Sequence, residues 1–169
     1  MKPPIDEIPA FYRPYIDTLS DGDLIDTLKQ SKNELVRLIS DLNEAQGGSR
    51  YAEDKWTIKE VMVHLLDSER VFAYRALRFA RNDQTDLPGF EQNDYVPNSE
   101  ANRQKLGTIL DHFIRLRASN VDLFESFSSQ QLERTGTANG FPVSVRAIGY
   151  IIAGHQTHHL NIMKERYLS

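Results

Sequence analysis

Residues 144–163 read SVRAIGYIIAGHQTHHLNIM, an apolar run with three histidines set into it. Ser144 is a helix-start residue, and Ile148, Ile152, Ile162 and Met163 follow it at helical spacing. His155 and His159 are four residues apart, so their side chains share one face of that helix, in line with the apolar stripe. His158 lies about 100° around the helix from His159 and is expected to face solvent or to sit behind the other two. The segment is therefore predicted to be a helix that turns two imidazoles into a core.

A second segment of the same kind begins upstream. Thr57 and Glu60 have the spacing of a capping box. Val61, Leu65, Phe72, Ala76 and Phe79 then face one way until the polar Asn82-Asp83. His64 lies between Val61 and Leu65 on that inward stripe. Two further helices complete the set. One is predicted from Asp21 to Ala45, started by Ser20 and Asp23 and stopped by Gly47-Gly48, with Leu24, Leu28, Ser31, Leu35, Leu38 and Leu42 on one face. The other is predicted from near Ser99, with Leu106, Leu110, Phe113, Leu116 and Phe124 inward. No strand pattern competes and no repeat is present, so the expected fold class is all-α, a four-helix bundle.

Two observations predict its order. The connection 82–98 has about 16 residues, beyond the two to eight usual between neighbouring bundle helices. It can run the length of the bundle and leave helices two and three pointing the same way. His64 lies roughly 10 Å past the start of its helix, and His159 roughly 12 Å before Tyr167 near the end of its own. The two come level only if helices two and four are antiparallel. Both point to an up-down-down-up topology with a long connection between helices two and three. Residues Gly136 to Pro142 form a shorter, turn-rich link into helix four. The whole chain, 1–169, is expected to be one such domain with a proline-rich N-terminal arm over 1–19.

Composition narrows the function. Apolar residues make up 40% and charged residues 26% of 169, an ordinary globular balance. The absence of cysteine removes disulfides, thiolate metal sites and cysteine nucleophiles. A net charge of -4 argues against nucleic acid as the main partner. No run approaches the roughly 18 apolar residues of a membrane span, and the N-terminus does not have the form of a secretory signal. Cytoplasm is the default localisation, and no G-x-S-x-G elbow suggests a serine hydrolase.

A single inward histidine is usually a core residue hydrogen-bonded to a neighbour. Three are different, because each imidazole has two nitrogens to satisfy, and each failure costs on the order of 1–3 kcal/mol. One metal ion satisfies three nitrogens at once, and three neutral imidazoles with an open position form a catalytic zinc site. His64, His155 and His159 are therefore the expected ligands of a divalent metal. His112 is read as structural or at the surface. Glu91, Asp94 and Tyr95, late in the long connection, are candidate catalytic groups near the same bundle end, with Trp56 and Arg50 beside them. Asp67 is either a carboxylate that orients His64 or a surface charge.

These residues resemble the DinB-like superfamily (the DinB/YfiT-like metalloenzymes). The matching features are Trp56-Thr57-Ile58-Lys59-Glu60-Val61 leading to His64-Leu65, then Leu87-Pro88-Gly89-Phe90, then Ala153-Gly154-His155-Gln156-Thr157-His158-His159. The resemblance implies an up-down-down-up bundle in which His64, His155 and His159 bind zinc, nickel or a similar ion. Position 156 is Gln where related chains often carry an acidic residue. The resemblance also implies a mixed range of activities: low-molecular-weight thiol S-transferases, hydrolases and isomerases. The function expected is a metal-dependent thiol S-transferase or hydrolase acting on a small molecule, a low-molecular-weight thiol among the candidates. A stress-associated protein with a structural metal is the alternative, and a homodimer is left open.

Overall fold

Three of the four long helices begin where a side chain within the same segment can take up their first free amide groups. The computed structural model describes residues 2–168. Asp23 caps α1 (Leu24–Ser40), accepting from the Ile25 amide. Thr57 and Glu60 close a capping box on α2 (Ile58–Ala80), as the sequence predicts. Ser144 caps α4 (Val145–Ile162) by accepting from Ala147. The remaining helix, α3 (Leu106–Glu125), follows Lys105, which offers no side-chain cap. Its Leu106 amide donates instead to Glu44 Oε1 at 2.7 Å, so a distant segment caps it.

Three boundaries differ from expectation. The first helix ends at Ser40, not Ala45, because Asn43 and Gln46 form a capping box of their own and start a separate turn at Glu44–Gly47. The third helix starts at Leu106, not near Ser99. Pro97 sits inside a short helix, Gln92–Asn98, and Glu100 takes a left-handed backbone (φ 51°) before the turn Ala101–Arg103. The link into α4 is a β-hairpin, whereas no strand was expected. Strands β1 (Thr135–Ala138) and β2 (Phe141–Ser144) pair antiparallel around Asn139-Gly140, both at positive φ. Leu87 bridges to Ala138, which pins the start of the long connection to this hairpin.

Four contacts pair the ends of the helices. Tyr150 hydroxyl donates to the Gly22 carbonyl (2.9 Å), and Lys29 pairs with Glu125 (2.7 Å). Thr57 Oγ1 donates to Asn102 Oδ1 (2.8 Å), and Tyr167 hydroxyl to the Trp56 carbonyl (2.7 Å). The N-terminal residues also pack on the bundle, through the short helix Arg13–Asp17 against α4. Gly154 makes this possible, since a Cβ there would lie 2.4 Å from the Tyr15 carbonyl oxygen.

The four-helix core has two apolar clusters with a polar layer between them. Leu28, Phe72, Phe124 and Ile152 belong to one, and Leu35, Leu65, Phe113 and Leu160 to the other. Between these levels each helix buries polar groups: Ser31, Ser68 and Glu69, Arg117 and Asn120, and His155 and Gln156. Arg117, fully buried, forks onto Glu69 through Nε–Oε1 (2.7 Å) and Nη2–Oε2 (2.8 Å), and Nη1 donates to the Leu28 carbonyl and Ser31 Oγ (3.0 Å each). Asn120 donates to the same carboxylate at 3.0 Å. Among the described residues no helix is long and apolar enough to cross a membrane.

Candidate metal centre

The polar layer opens on one side into the histidine cluster. His64 comes from the second turn of α2, and His155 and His159 from successive turns of α4. His64 Nε2 is 3.0 Å from His155 Nε2, and His159 Nε2 is 3.2 Å from His155 Nε2. The donor atoms of all three lie within 4.8 Å of one another. Nitrogens bound tetrahedrally to zinc at 2.0–2.1 Å stand about 3.3 Å apart. The two Nε2 separations therefore suit one shared ion. Hydrogen bonding among the three rings satisfies these contacts only in part, because each neutral imidazole has one N–H.

Burial favours the uncharged form that a metal needs. Desolvation lowers the His64 pKa from 6.5 to about 4. It lowers His155 well below its ordinary value, with the neighbouring histidines adding to the effect. His159 falls to about 3, again chiefly by burial, with His64 and His158 contributing. The unfolded chain takes up these protons near pH 6.5 while the folded chain refuses them, so the metal-free fold loses stability as pH falls from about 6.5 toward 4. For His64 alone the loss is about 2 kcal/mol by pH 5, above the range where most carboxylates titrate. Urea unfolding of metal-free protein at pH 7, 6 and 5 measures it, and His64→Ala is expected to flatten the dependence.

Ser68 Oγ lies 3.5 Å from His64 Nδ1 and can take its proton, which leaves Nε2 as the inward nitrogen. Asp67 pairs with Arg70 at 3.0 Å on the outer side of the helix. Ser68 went unnoticed in the sequence, although it sits one turn from His64 on the same face. His158 is half-buried against Tyr15 and lies outside the three-nitrogen group, and His112 is exposed. Gln156 is buried in the polar layer, where its amide donates to the Ser31 carbonyl and its Oε1 has no partner.

Two cavities adjoin the cluster. One, of about 240 Å³, lies beside His159 and is walled by Trp56, Tyr51, Lys55 and Tyr167. The other, of about 300 Å³, lies beside His155 and Ser68. Of the candidates on the long connection, Glu91 faces the second cavity. Its Oε1 also caps the helix Gln92–Asn98 by accepting from the Asn93 amide. Asp94 is exposed, and Tyr95, also exposed, packs its ring on Phe90 at 5.3 Å. Trp56 lies 5.0 Å from the His64 ring at a tilt, while exposed Arg50 donates to the Glu53 carbonyl.

A model of the DinB superfamily matches residues 27–163. The chain is 26% identical over 148 residues to a protein of Oceanobacillus iheyensis named "Putative metal-dependent hydrolase OB0413", with 84% of each covered. Among solved structures, YfiT from Bacillus subtilis, described as a probable metal-dependent hydrolase with an unusual four-helix bundle topology, matches with a TM-score of 0.73. The identity is 16%, over 84% of this chain and 82% of that one. The mycothiol-dependent maleylpyruvate isomerase matches with a TM-score of 0.70 at 12% identity, over 86% of this chain and 61% of the isomerase. Both structural likenesses are of fold.

Proposed function

The chain belongs to the DinB superfamily, and we propose that it is a metal-dependent enzyme acting on a small molecule, with one Zn²⁺ or Ni²⁺ held by His64, His155 and His159. The observation that carries this reading is the convergence of three imidazole nitrogens, from buried His64 and His155 and half-buried His159, with no carboxylate in the group, among the described residues. Closed structural zinc sites ordinarily have four protein ligands, whereas three leave a position for water or substrate. A divalent ion there would supply the Lewis acidity that brings a water or a small thiol to its nucleophilic form near neutral pH. Ser68 orients His64, and the depressed imidazole pKa values keep the donors unprotonated. Glu91, which lines the cavity beside His155, is the carboxylate we assign to accept a proton from an incoming nucleophile.

The up-down-down-up order belongs to the same proposal. Tyr150 with Gly22 sets the starts of α1 and α4 side by side, and Lys29 with Glu125 sets the start of α1 by the end of α3. Thr57 with Asn102, and Trp56 with Tyr167, set the start of α2 by the start of α3 and by the end of α4. These pairings support α1 and α4 running one way and α2 and α3 the other, which brings His64 level with the α4 histidines.

The test is a screen of tag-free, metal-loaded protein against low-molecular-weight thiols with electrophilic acceptors, and against esters and amides. Turnover is expected that chelation abolishes, metal restores and His64→Ala lacks. A fourth side chain found on the ion, or no metal-dependent turnover with either substrate class, would favour a structural metal instead.

A further inference from the structure

The cavity beside His155 is walled by five aromatic rings, those of Phe11, Tyr12, Tyr15, Phe72 and Phe90. Its volume is about 300 Å³, where about 150 Å³ is enough to hold benzene. The rings pack on one another edge-on: Tyr12 with Phe72 at 5.6 Å between centroids, and Tyr15 with His155 at 5.3 Å. Three separate segments supply the walls, and each is pinned. Tyr15 is held where its backbone meets Gly154. The 87–92 segment is held by Leu87 on β1, and by Gly89, where a Cβ would lie 2.4 Å from Asn139 Oδ1. Arg75 fastens the back, donating to the Pro88 carbonyl at 2.7 Å while its guanidinium adjoins the Tyr12 hydroxyl. A preformed aromatic cavity beside a reactive centre has the shape and lining of a small-molecule pocket.

Arg75 stands behind this wall, its guanidinium 5.9 Å from the centroid of the Phe72 ring, and Glu91 is the acidic residue of the lining. We propose that this cavity binds an aromatic ring, as the part of the substrate that confers specificity. The proposal rests on the reading of the histidine cluster as the reactive centre.

The test titrates tag-free, metal-loaded protein calorimetrically with benzoate and with cyclohexanecarboxylate, which matches it in charge and approximate size but lacks a flat ring. Benzoate is expected to bind about fivefold more tightly or better, since ring contacts of this kind each contribute a few-fold. Phe11→Ala and Phe90→Ala, both at partly exposed positions, are each expected to weaken benzoate roughly three- to tenfold. Tyr74→Ala, at an exposed tyrosine outside the cavity, is expected to leave it unchanged. Equal affinities for the two acids in protein that has taken up metal, or benzoate binding untouched by both phenylalanine substitutions, would overturn the proposal alone. Protein that takes up no metal would overturn the metal-enzyme reading, and with it the assignment of this cavity as its substrate pocket.

Discussion

Replacing His159 by alanine is expected to strip the protein of tightly held metal, while His158→Ala leaves binding intact. The two residues are neighbours in sequence and chemically identical, so composition, charge and helix propensity are matched between the variants. They differ in direction. His159 Nε2 lies 3.2 Å from His155 Nε2, at the separation two nitrogens on one ion need, whereas the His158 ring turns toward Tyr15. Removing a group that only orients a ligand commonly costs about 10- to 100-fold in metal affinity. Removing one of three ligands should cost more than that, and dialysis against a competing chelator with metal analysis reads the difference. Equal losses from both substitutions would mean that the ion sits on another face of α4.

Arg117→Ala is expected to destabilise the fold by roughly 3–5 kcal/mol, a large share of the 5–15 kcal/mol typical of a domain. The side chain is fully buried, and its removal strands the Glu69 carboxylate with only Asn120 as a partner, while Ser31 Oγ and the Leu28 carbonyl each lose a donor. The cost arises from leaving one charge unpaired and not from the attraction of the pair, so Glu69→Leu combined with Arg117→Met should be more stable than Arg117→Ala alone. Chemical denaturation of the three proteins decides it. An Arg117→Ala loss under about 1 kcal/mol would put the pair in water rather than in the core.

The parts of this architecture legible in the sequence are those encoded by spacing. The Thr57–Glu60 box, the apolar stripes and the His155–His159 interval each follow from the 3.6-residue period, and each has its counterpart in the structure. What escaped was local chemistry that interrupts a period. Asn43 and Gln46 cap their own turn, and Asn139-Gly140 is a hairpin signal inside the turn-rich link 136–142. The buried Glu69 and Arg117 were also missed, although each stands on the inward stripe of its helix, between Leu65 and Phe72 and between Phe113 and Phe124. Two opposite charges on facing apolar stripes are a readable signal, but only once the two helices are known to pack together. The aromatic cavity lay beyond reach for the same reason, because its walls come from three stretches distant in sequence.

A crystal of tag-free, metal-loaded protein measured at the metal's absorption edge tests most directly whether three histidines share one ion. The expected result is one anomalous peak per chain, about 2.0–2.1 Å from nitrogens of His64, His155 and His159, with no fourth protein ligand. A peak elsewhere in the chain, or none after loading with either Zn²⁺ or Ni²⁺, would contradict it.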